Sequence, residues 1–479
     1  MSVTELERLV IGGERVDAAE GATFAVVNPA TGETIAEVAE GGPQDIDRAV
    51  AAARAAFPAW RAVMPRDRAR LMRRFASLVE DNLERLALLE TRNVGKPISD
   101  ARGETQMVAD TLNYYAGAVD KLFGETVPTQ GKGLNLTFRE PVGVVGLITP
   151  WNFPIAIASW KLGPALACGN TVVLKPATLT PLTALALGEL ALESGIPEGV
   201  LNVVPGPGGA AGGRLVAHPE VNKIGFTGST EVGSQVMRDA AATIKRVSLE
   251  LGGKAAAIVF EDADLDKAAA QIPMSVFANA GQDCCARSRL LVQESVRERF
   301  LDAYVRATAA IRVGDPEDAA TDVGPMITER QREISLSYID AGREAGGTVL
   351  VGGEVRDGAG WYLTPCVVDG VTNDTRIARE EIFGPVQCVI GFKDEADAVR
   401  LANDTPYGLS ASVWSGNPAR ALRVARAVDA GVISVNSNSS VHVEAPFGGF
   451  KQSGLGRELG IHALEHYTEL KNVFVSLDG

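Results

Sequence analysis

A cysteine in a polar segment that begins with glycine is the first residue whose chemistry stands out. The segment reads Gly281-Gln-Asp-Cys284-Cys285. The nucleophilic form of a cysteine is the thiolate, and a polar, partly exposed loop or helix start can raise the thiolate fraction. Taken alone, Cys284 could equally be a small buried hydrophobic residue. The sequence therefore offers Cys284 as a candidate nucleophile whose case depends on the residues that accompany it.

A glutamate that could serve as a general base lies thirty-four residues before Cys284. Glu250 ends an apolar stretch and is followed by Leu-Gly-Gly253-Lys254. A carboxyl group held among apolar neighbours can have a raised pKa and accept a proton near neutral pH. On its own, Glu250 could also be an ordinary residue at the end of a helix or strand. The hypothesis of a base therefore requires the fold to bring Glu250 to Cys284.

Two further turns carry hydrogen-bond donors that could bind a negatively charged group. In Phe226-Thr-Gly228-Ser-Thr-Glu-Val-Gly233, glycines and hydroxyls stand where a strand becomes a helix, and free N–H groups there can bind phosphate. The Gly-Lys-Ser/Thr ending of a Walker P-loop is missing, which excludes that motif. In Ile148-Thr-Pro-Trp-Asn152-Phe-Pro154 an amide follows a strand and could stabilise an oxyanion. A lone Asn in such a place is more often a turn former.

Alternating strands and helices must position these groups. Between residues 140 and 226, short buried strands alternate with helical stretches, which predicts a doubly wound α/β domain. The same alternation between residues 254 and 391 predicts a second α/β domain. Helical periodicity also runs through 46–60 and 66–91. Segments near 126–140 and 468–477 alternate like exposed strands, and because an unpaired strand is a liability we expect them to pair between subunits.

The composition narrows the class of protein. The chain has 479 residues, with 46 Lys plus Arg against 60 Asp plus Glu and a formal net charge of −14. This acidic balance argues against a nucleic-acid-binding surface, because phosphates require clustered basic side chains. No apolar run approaches the ~18 residues of a membrane span, and the first residues lack the order of a signal peptide. Five cysteines make no disulfide framework, so we expect a reducing, cytoplasmic location.

Seven motifs that occur in a fixed order give the sequence a resemblance to a known family. They are Ile148-Thr-Pro-Trp-Asn-Phe-Pro, Lys175-Pro, Phe226-Thr-Gly-Ser-Thr, Glu250-Leu-Gly-Gly-Lys, Gly281-Gln-x-Cys284, Glu381-Ile-Phe-Gly-Pro and Pro446-Phe-Gly-Gly. With them, the sequence closely resembles the NAD(P)-dependent aldehyde dehydrogenase superfamily over essentially its whole length. The resemblance implies an α/β fold in three parts: a Rossmann-like cofactor domain (1–122 and 142–251), an α/β catalytic domain (252–453) and a small β oligomerisation extension (123–141 and 454–479).

The resemblance also implies catalytic roles. Cys284 corresponds to the nucleophile that attacks the aldehyde carbon, and Asn152 with the Cys284 N–H corresponds to the oxyanion hole. Glu250 corresponds to the base that activates water against a thioester. Lys161 and Glu458 correspond to a proton-release path from that base. Together these roles imply oxidation of an aldehyde to the carboxylic acid through a cysteine thiohemiacetal and a thioester, followed by hydrolysis.

The cofactor implied by the resemblance is NAD or NADP, and no metal is expected. The residues implied around the cofactor are Thr149, Trp151, Lys175, Thr178, Gly208, Gly228, Ser229, Gly233, Leu251, Glu381 and Phe383. Many NAD-preferring members carry Glu where this chain has Thr178. Without that carboxylate nothing repels a 2′-phosphate, so NADP should be tolerated or preferred. The alternative is that Thr178 only weakens a hydrogen bond and NAD still serves.

The residues implied around the substrate are Phe153, Trp160, Asp283 and Phe447. Asp283 gives the Gly-Gln-Asp-Cys form found in ω-aminoaldehyde dehydrogenases, in which a carboxylate could hold an ammonium group. Alternatively, Asp283 points to solvent or caps a turn. The expected partners are a small-molecule aldehyde and other copies of the chain, in a homodimer or homotetramer. The sequence leaves open the physiological aldehyde and the choice between the two oligomers.

Two other functions are weighed against this one. A CoA-acylating semialdehyde dehydrogenase passes its acyl group to a thiol instead of water, but those relatives lack the water-activating glutamate that stands here as Glu250. A catalytically silent binding protein built on the same fold is disfavoured because Cys284, Glu250 and Asn152 are all present.

Overall fold

The first large sheet carries the segments around Asn152 and Glu250. The computed structural model describes residues 6–439 and 441–477. The strands of this sheet are β2 (Leu9–Ile11), β3 (Glu14–Val16), β7 (Val144–Ile148), β8 (Thr171–Lys175), β9 (Leu201–Val203), β10 (Lys223–Thr227), β11 (Arg246–Glu250) and β19 (Gly454–Leu455). Their order is β19-β11-β10-β7-β8-β9-β2-β3, and the five strands from β11 to β9 are mutually parallel.

The second large sheet carries the segment that leads to Cys284. Its strands are β12 (Ala256–Val259), β13 (Arg289–Gln293), β14 (Thr348–Val351), β15 (Cys366–Asp369), β16 (Val386–Phe392), β17 (Ser410–Trp414) and β18 (Val432–Val435). Their order is β14-β15-β16-β13-β12-β17-β18, and every neighbouring pair except β14 with β15 is parallel. The two predicted α/β units are therefore confirmed as two separate sheets.

Two small sheets complete the strand inventory of the described residues. One has the order β1-β5-β4, with β1 (Leu6–Glu7), β4 (Thr23–Val27) and β5 (Thr34–Ala39). The other pairs β6 (Gly133–Pro141) with β20 (Thr468–Ser476) in antiparallel register, from Thr468 opposite Pro141 to Ser476 opposite Gly133. The two segments predicted as exposed strands thus pair with each other inside one chain.

Helices cover the faces of the large sheets. They are α1 (Pro43–Ala62), α2 (Pro65–Asp81), α3 (Leu83–Val94), α4 (Ile98–Ala118), α5 (Pro154–Ala167), α6 (Leu182–Glu193), α7 (Gly213–Ala217), α8 (Thr230–Ala241), α9 (Leu265–Gln271), α10 (Met274–Phe277), α11 (Arg297–Ala309), α12 (Glu329–Glu344), α13 (Arg376–Arg379), α14 (Glu395–Asn403) and α15 (Pro418–Ala427). Among the described residues, none of these helices is long and apolar enough to cross a membrane.

The helical periodicity predicted over 66–91 is interrupted in the structure. Helices α2 and α3 meet at Asn82, whose backbone (φ −103°, ψ 12°) leaves the helical region. The Asn82 side-chain amide donates a hydrogen bond to the Leu78 carbonyl (2.8 Å). Asparagine offers the backbone such local alternatives to a continuous helix, which hydrophobic periodicity alone does not reveal.

The C-terminal boundary of the β extension differs from the expected residue 454. Strand β19 pairs antiparallel with β11 at the edge of the first sheet, directly beside Glu250. The turn that follows, Ile461–Tyr467, buries Ala463, Leu464 and Tyr467 in the same core as α2, α4 and α5. These apolar side chains hold residues 454–467 to the first sheet, so the extension itself begins at Thr468.

Candidate active site

The segment before Cys284 has an unusual backbone. Asn279, Ala280 and Gly281 all have positive φ angles (50°, 55° and 70°). A left-handed conformation costs a residue other than glycine roughly 1–2 kcal/mol, so this turn must be held by its surroundings. Gly281 is required for a second reason, because a Cβ there would lie 2.2 Å from the Gly384 carbonyl oxygen. The turn delivers Cys284 half-buried at the end of a tightly packed loop.

Gln282 and Asn279 hold this turn in place. The buried Gln282 side chain accepts a hydrogen bond from the Ile327 N–H (2.8 Å) and donates one to the Asn279 carbonyl (3.0 Å). The Asn279 amide in turn donates to the Asn152 carbonyl (3.0 Å) and to the Gln282 carbonyl (3.3 Å). These bonds offset the strain of the turn and join the Cys284 loop to the end of β7.

Asn152 reaches the same loop from the first sheet. It lies in the Pro-bounded turn after β7 and is buried, and its Nδ2 donates to the Gln282 carbonyl (2.9 Å). A primary amide has two N–H donors, so one remains for another acceptor. Asn152 and Cys284 line the same cavity. The structure thus places a fixed amide donor beside the thiol, which is the arrangement that an oxyanion requires.

Glu250 is buried at the end of β11 with one carboxylate oxygen unused. Only 4 % of the residue is exposed, and its Oε2 has no hydrogen-bond partner among the described residues. Burial raises the pKa of Glu250 well above its ordinary value, and the neighbouring carboxylate of Glu458 raises it further. A carboxyl group with a raised pKa is a stronger base than an exposed one once it is deprotonated.

A buried ion pair lies behind Glu250. The Lys161 ammonium in α5 donates a hydrogen bond to Oε1 of Glu458, while Oε2 of Glu458 is buried and has no partner in the part of the chain that the structure describes. Glu458 is fixed by two backbone hydrogen bonds with Phe447 (2.7 Å each) and shares a cavity with Glu250. Glu250, Glu458 and Lys161 therefore form one buried cluster of charged groups. The Glu458 carboxylate is the neighbouring group that can receive a proton from Glu250.

The Cys284 thiol is held in its protonated form. A hydrogen bond with the Cys285 side chain raises the pKa of Cys284 well above its ordinary value, and burial adds to this effect. Cys285 itself is buried. A nucleophile stored as a thiol must lose its proton when an electrophile arrives, so a base near it is required.

A cavity of about 360 Å³ opens on one side of Cys284 and contains six of the residues predicted to bind the cofactor. These residues are Trp151, Gly228, Ser229, Leu251, Glu381 and Phe383. The rings of Trp151 and Phe383 meet edge to face, with centroids 5.1 Å apart. Ser229 caps α8, where its hydroxyl accepts from the Val232 N–H (3.3 Å), so the positive end of the helix faces this cavity.

Glu381 is oriented by two glycines. Its Oε1 accepts a hydrogen bond from the Gly253 N–H (3.0 Å), and a Cβ on Gly252 would lie 2.2 Å from its Oε2. Burial raises the pKa of Glu381 to about 7. The Gly-Gly pair after Glu250 thus lets a carboxyl group approach the backbone closely and still face the cavity.

The remaining predicted cofactor residues lie off this cavity. Lys175 ends β8, where it is buried, its ammonium has no partner among the described residues, and burial lowers its pKa to about 8. The Thr149 N–H donates to the Lys175 carbonyl (3.2 Å). Thr178 donates its hydroxyl to the Gly206 carbonyl (3.1 Å), and Gly208 begins a single π-helical turn, Gly208–Gly212, after β9. The buried Lys175 ammonium, which has no partner among the described residues and lies beside Gly212 of this turn, suits an anionic group of a ligand.

Gly233 has a different role from the one expected. It lies inside α8, and a Cβ there would meet the Leu251 side chain at 2.4 Å. Gly233 therefore allows α8 to pack closely on the residue that follows Glu250, and it does not line the cavity.

A second cavity of about 130 Å³ lies on the other side of Cys284 and holds all four predicted substrate residues. Phe153, Trp160 and Phe447 form aromatic walls, and the ring centroids of Trp160 and Phe447 lie 5.2 Å apart. Asp283 Oδ1 accepts from the Cys285 N–H (2.8 Å), so the carboxylate caps this turn. Thr227, Glu250 and Cys284 line both cavities, which therefore meet at the thiol.

Several contributing residues carried no sequence signal. Lys96 pairs with Glu104, which lines the smaller cavity, and the Lys96 ammonium lies 4.4 Å from the centre of the Phe153 ring. Gln331 lines the larger cavity from α12. Lys96, Glu104 and Gln331 come from segments that are remote from Cys284 in sequence. Gln282 is part of the Gly281-Gln-x-Cys284 motif and Asn279 lies two residues before it, so the motif could have drawn attention to both.

Comparisons with known proteins agree with this geometry. The profile described as "Aldehyde dehydrogenase family" matches residues 16–473. The chain is 45 % identical to an aldehyde dehydrogenase of Emericella nidulans over 98 % of this chain and 95 % of that one. It is 46 % identical to retinaldehyde dehydrogenase 3 of Homo sapiens over 98 % and 93 %.

Solved structures show the same likeness. An NAD-dependent aldehyde dehydrogenase from Sinorhizobium meliloti superposes with a TM-score of 0.98 at 46 % identity, covering 100 % of this chain and 96 % of that one. The NAD+ complex of an aldehyde dehydrogenase from Bacillus cereus gives a TM-score of 0.98 at 43 % identity, covering 99 % and 98 %.

The family of the chain follows from two findings. The profile match covers nearly the whole chain, and the identity with relatives of similar length is above 40 %. The activity that goes with it is NAD(P)-dependent oxidation of an aldehyde, and the cavities on the two sides of Cys284 suit a cofactor and a substrate. The chain belongs to the aldehyde dehydrogenase family.

Proposed function

We propose that Cys284, Asn152 and Glu250 carry out the reaction in the roles that the sequence suggested. The observation that carries this proposal is the meeting of two cavities at Cys284 and Glu250, with Asn152 lining the larger of the two. The first sheet with its helices would be the cofactor domain, and the second sheet would be the catalytic domain. The strands β6 and β20 would form the oligomerisation extension.

The first step forms a bond between Cys284 Sγ and the aldehyde carbon. As the thiol attacks, its proton passes to a base, and Glu250 lines the same space with an unused oxygen. The carbonyl oxygen becomes an oxyanion, which the free N–H of Asn152 and the Cys284 backbone N–H would stabilise. Removing one such donor typically costs ~10²–10³ in rate.

NAD(P), when bound, supplies the hydride acceptor that turns the adduct into a thioester. The residues that would hold it are Gly228 and Ser229 at the start of α8, the unpartnered Lys175, and Glu381 with Phe383. Gly228, Ser229 and Lys175 lie at the carboxyl ends of the parallel strands β10 and β8, where open α/β sheets bind their ligands, and Glu381 contacts Gly253 just after β11.

Glu250 would act as the general base in the hydrolysis of the thioester. A deprotonated Glu250 would take a proton from water as its oxygen attacks the thioester carbon, and the thiol would leave with the proton it needs. Before this step, the buried Glu458–Lys161 pair would accept the proton that Glu250 took from the thiol, and after it Glu250 would return the water proton to the leaving sulfur. A buried base that lines the thiol's cavity favours water as the acceptor over CoA, and an intact set of these groups disfavours a silent binding protein.

Cofactor choice would depend on Thr178. Its hydroxyl is used by the Gly206 carbonyl, and no carboxylate stands at this position. Lys175, three residues earlier, offers an unpartnered cation. We expect both NAD and NADP to be accepted.

The aldehyde is expected to be uncharged. Asp283 accepts a hydrogen bond from the Cys285 N–H through one oxygen, and Glu104 is paired with Lys96, so both carboxylates already have a partner that an ammonium group would have to share. Burial raises the pKa of Asp283, and it raises that of Glu104 to about 8. Three aromatic walls suit an apolar chain. The ω-aminoaldehyde hypothesis is therefore the second candidate.

We propose that the protein is a homodimer or homotetramer that pairs through β6 and β20. This two-stranded sheet exposes apolar side chains on both faces, with Leu134, Phe138 and Val475 on one face and Leu470 and Phe474 on the other. Exposed apolar patches of this kind mark interaction surfaces. A monomer in sedimentation equilibrium would contradict the proposal. All five cysteines are free thiols, which supports the cytoplasmic location expected from the sequence.

Cys284→Ala is expected to abolish turnover of an aldehyde such as hexanal while NADH binding, followed by its fluorescence, persists. The reason is that no other thiol reaches both cavities. Cys285→Ala is the matched control and should keep activity. If Cys284→Ala retained more than a few per cent of the rate, the assignment of the nucleophile would be wrong.

Glu250→Gln is expected to slow hydrolysis by ~10²–10⁴, the usual contribution of a general base. Rapid mixing should show a stoichiometric burst of NAD(P)H followed by a slow steady state. Because the pKa of Glu250 is raised, wild-type hydrolysis should increase as pH rises through that value, and the variant should lose this dependence. Absence of a burst would place Glu250 in an earlier step.

Thr178→Glu is expected to lower kcat/KM for NADP at least ~10-fold, about 1.4 kcal/mol, and to spare NAD. Two like charges ~4 Å apart at an effective dielectric near 20 repel by ~4 kcal/mol, which makes the effect large enough to measure. Thr178→Gln has the same size without the charge and serves as the control. Equal losses with both cofactors would show that residue 178 does not face the ribose.

Asp283→Asn keeps an oxygen that can cap the turn but removes the charge. If the substrate is uncharged, the ratio of kcat/KM values for hexanal and 4-aminobutanal should stay within about 2-fold of the wild-type ratio, well below the tenfold that ~1.4 kcal/mol represents. A selective loss of 10-fold or more with 4-aminobutanal would instead support an ammonium site at Asp283.

A further inference from the structure

Three consecutive side chains at the nucleophile form a compact set of metal-ligand atoms. A carboxylate oxygen of Asp283 and the sulfur atoms of Cys284 and Cys285 all lie within 4.8 Å of one another. Among residues 6–439 and 441–477, no other group of three or more His, Cys, Asp or Glu donors is so close. The reaction described above uses one of these sulfur atoms and gives no role to the second.

The Asp283 carboxylate is already held toward the cysteine pair, because its Oδ1 accepts a hydrogen bond from the Cys285 N–H (2.8 Å). A cation that enters between the three donors therefore meets ligand atoms that are already close together. Two thiolates and a carboxylate are the ligands that Zn²⁺ prefers, at about 2.3 Å and about 2.1 Å. A tetrahedral ion needs its two sulfur atoms about 3.8 Å apart, so the donors have little distance to close.

The surroundings offer a fourth ligand. Cys284 lies where the two cavities meet, so water can reach an ion bound there. Glu250 lines both cavities, is 4 % exposed, and has a buried Oε2 with no partner among the described residues. A carboxylate oxygen in this position can accept a hydrogen bond from a metal-bound water. Glu250 belongs to the lining of the same two cavities and is independent of the three ligands.

We propose that Asp283, Cys284 and Cys285 bind a thiophilic divalent cation such as Zn²⁺, and that occupancy of this site reversibly blocks the enzyme. On binding, each thiol loses its proton to solvent, two sulfur–metal bonds form, and no atom changes its oxidation state. The bound sulfur atom of Cys284 cannot attack an aldehyde. The inhibition, though not the binding, rests on the proposed role of Cys284.

Cobalt absorption tests the site without any turnover. Co²⁺ titrated into the purified enzyme, free of substrate and cofactor, should give the near-ultraviolet band of cobalt bound to thiolate, and Zn²⁺ should displace it. Cys284→Ala and Cys285→Ala should each lose about half of the band, because two sulfur atoms share the ion. Cys366→Ala removes a buried thiol elsewhere and should leave it unchanged. A full band in Cys285→Ala would overturn the proposal, as would the absence of a band in the wild type.

Zn²⁺ inhibition of turnover gives the second measurement. With each enzyme compared to its own metal-free rate, Cys285→Ala should need at least ~10-fold more Zn²⁺ than the wild type for half inhibition. Cys285→Ser, which keeps the size of the side chain, should shift in the same direction if the alanine variant is poorly folded. Equal Zn²⁺ sensitivity in wild type and both variants would overturn the proposal. If Cys284→Ala shows half of the cobalt band but keeps its activity, the metal site stands and the proposed nucleophile fails.

Discussion

The hydrogen bond from the Asn152 amide to the Gln282 carbonyl is the contact on which the site depends. It joins the turn after β7 in the first sheet to the loop before β13 in the second, across 130 residues of sequence. A second hydrogen bond joins the same two segments, because the Asn279 side-chain amide donates to the Asn152 backbone carbonyl. Because both bonds are buried, breaking either would leave a polar group unsatisfied, at a cost of about 1–3 kcal/mol. The position of Asn152 relative to the Cys284 loop is therefore fixed by its hydrogen bonds with Gln282 and Asn279.

Strain and buried charge are concentrated beside this contact. Three successive left-handed residues precede Gln282, and Glu250, Glu458 and Lys161 lie buried within reach of the cavities. Buried carboxylates are costly unless they are paired or protonated. The shared cluster of two carboxylates and one ammonium reduces this cost and keeps the pKa of Glu250 high. The same burial that destabilises the charged form thus prepares Glu250 for proton transfer.

Much of the site follows from local sequence. Strands β7, β10 and β11 are short segments with two or more apolar side chains each. Glycine or proline follows each of them within two residues, and the alternation of strands and helices revealed them. The break at Asn82 and the packing role of Gly233 were not predictable in the same way. The first depends on a single side-chain hydrogen bond, and the second depends on which residue happens to lie across from the helix.

The sequence by itself determined the family and the two α/β units, and it singled out Cys284, Glu250 and Asn152 as candidates, because motifs and hydrophobic periodicity are local properties of the chain. Only the tertiary structure decided that β6 pairs with β20, that residues 454–467 stay with the first sheet, and that two cavities meet at Cys284. These features arise from contacts between segments hundreds of residues apart. Such contacts form because apolar side chains are buried together, and the order of residues along the chain does not state which distant partner will bury them.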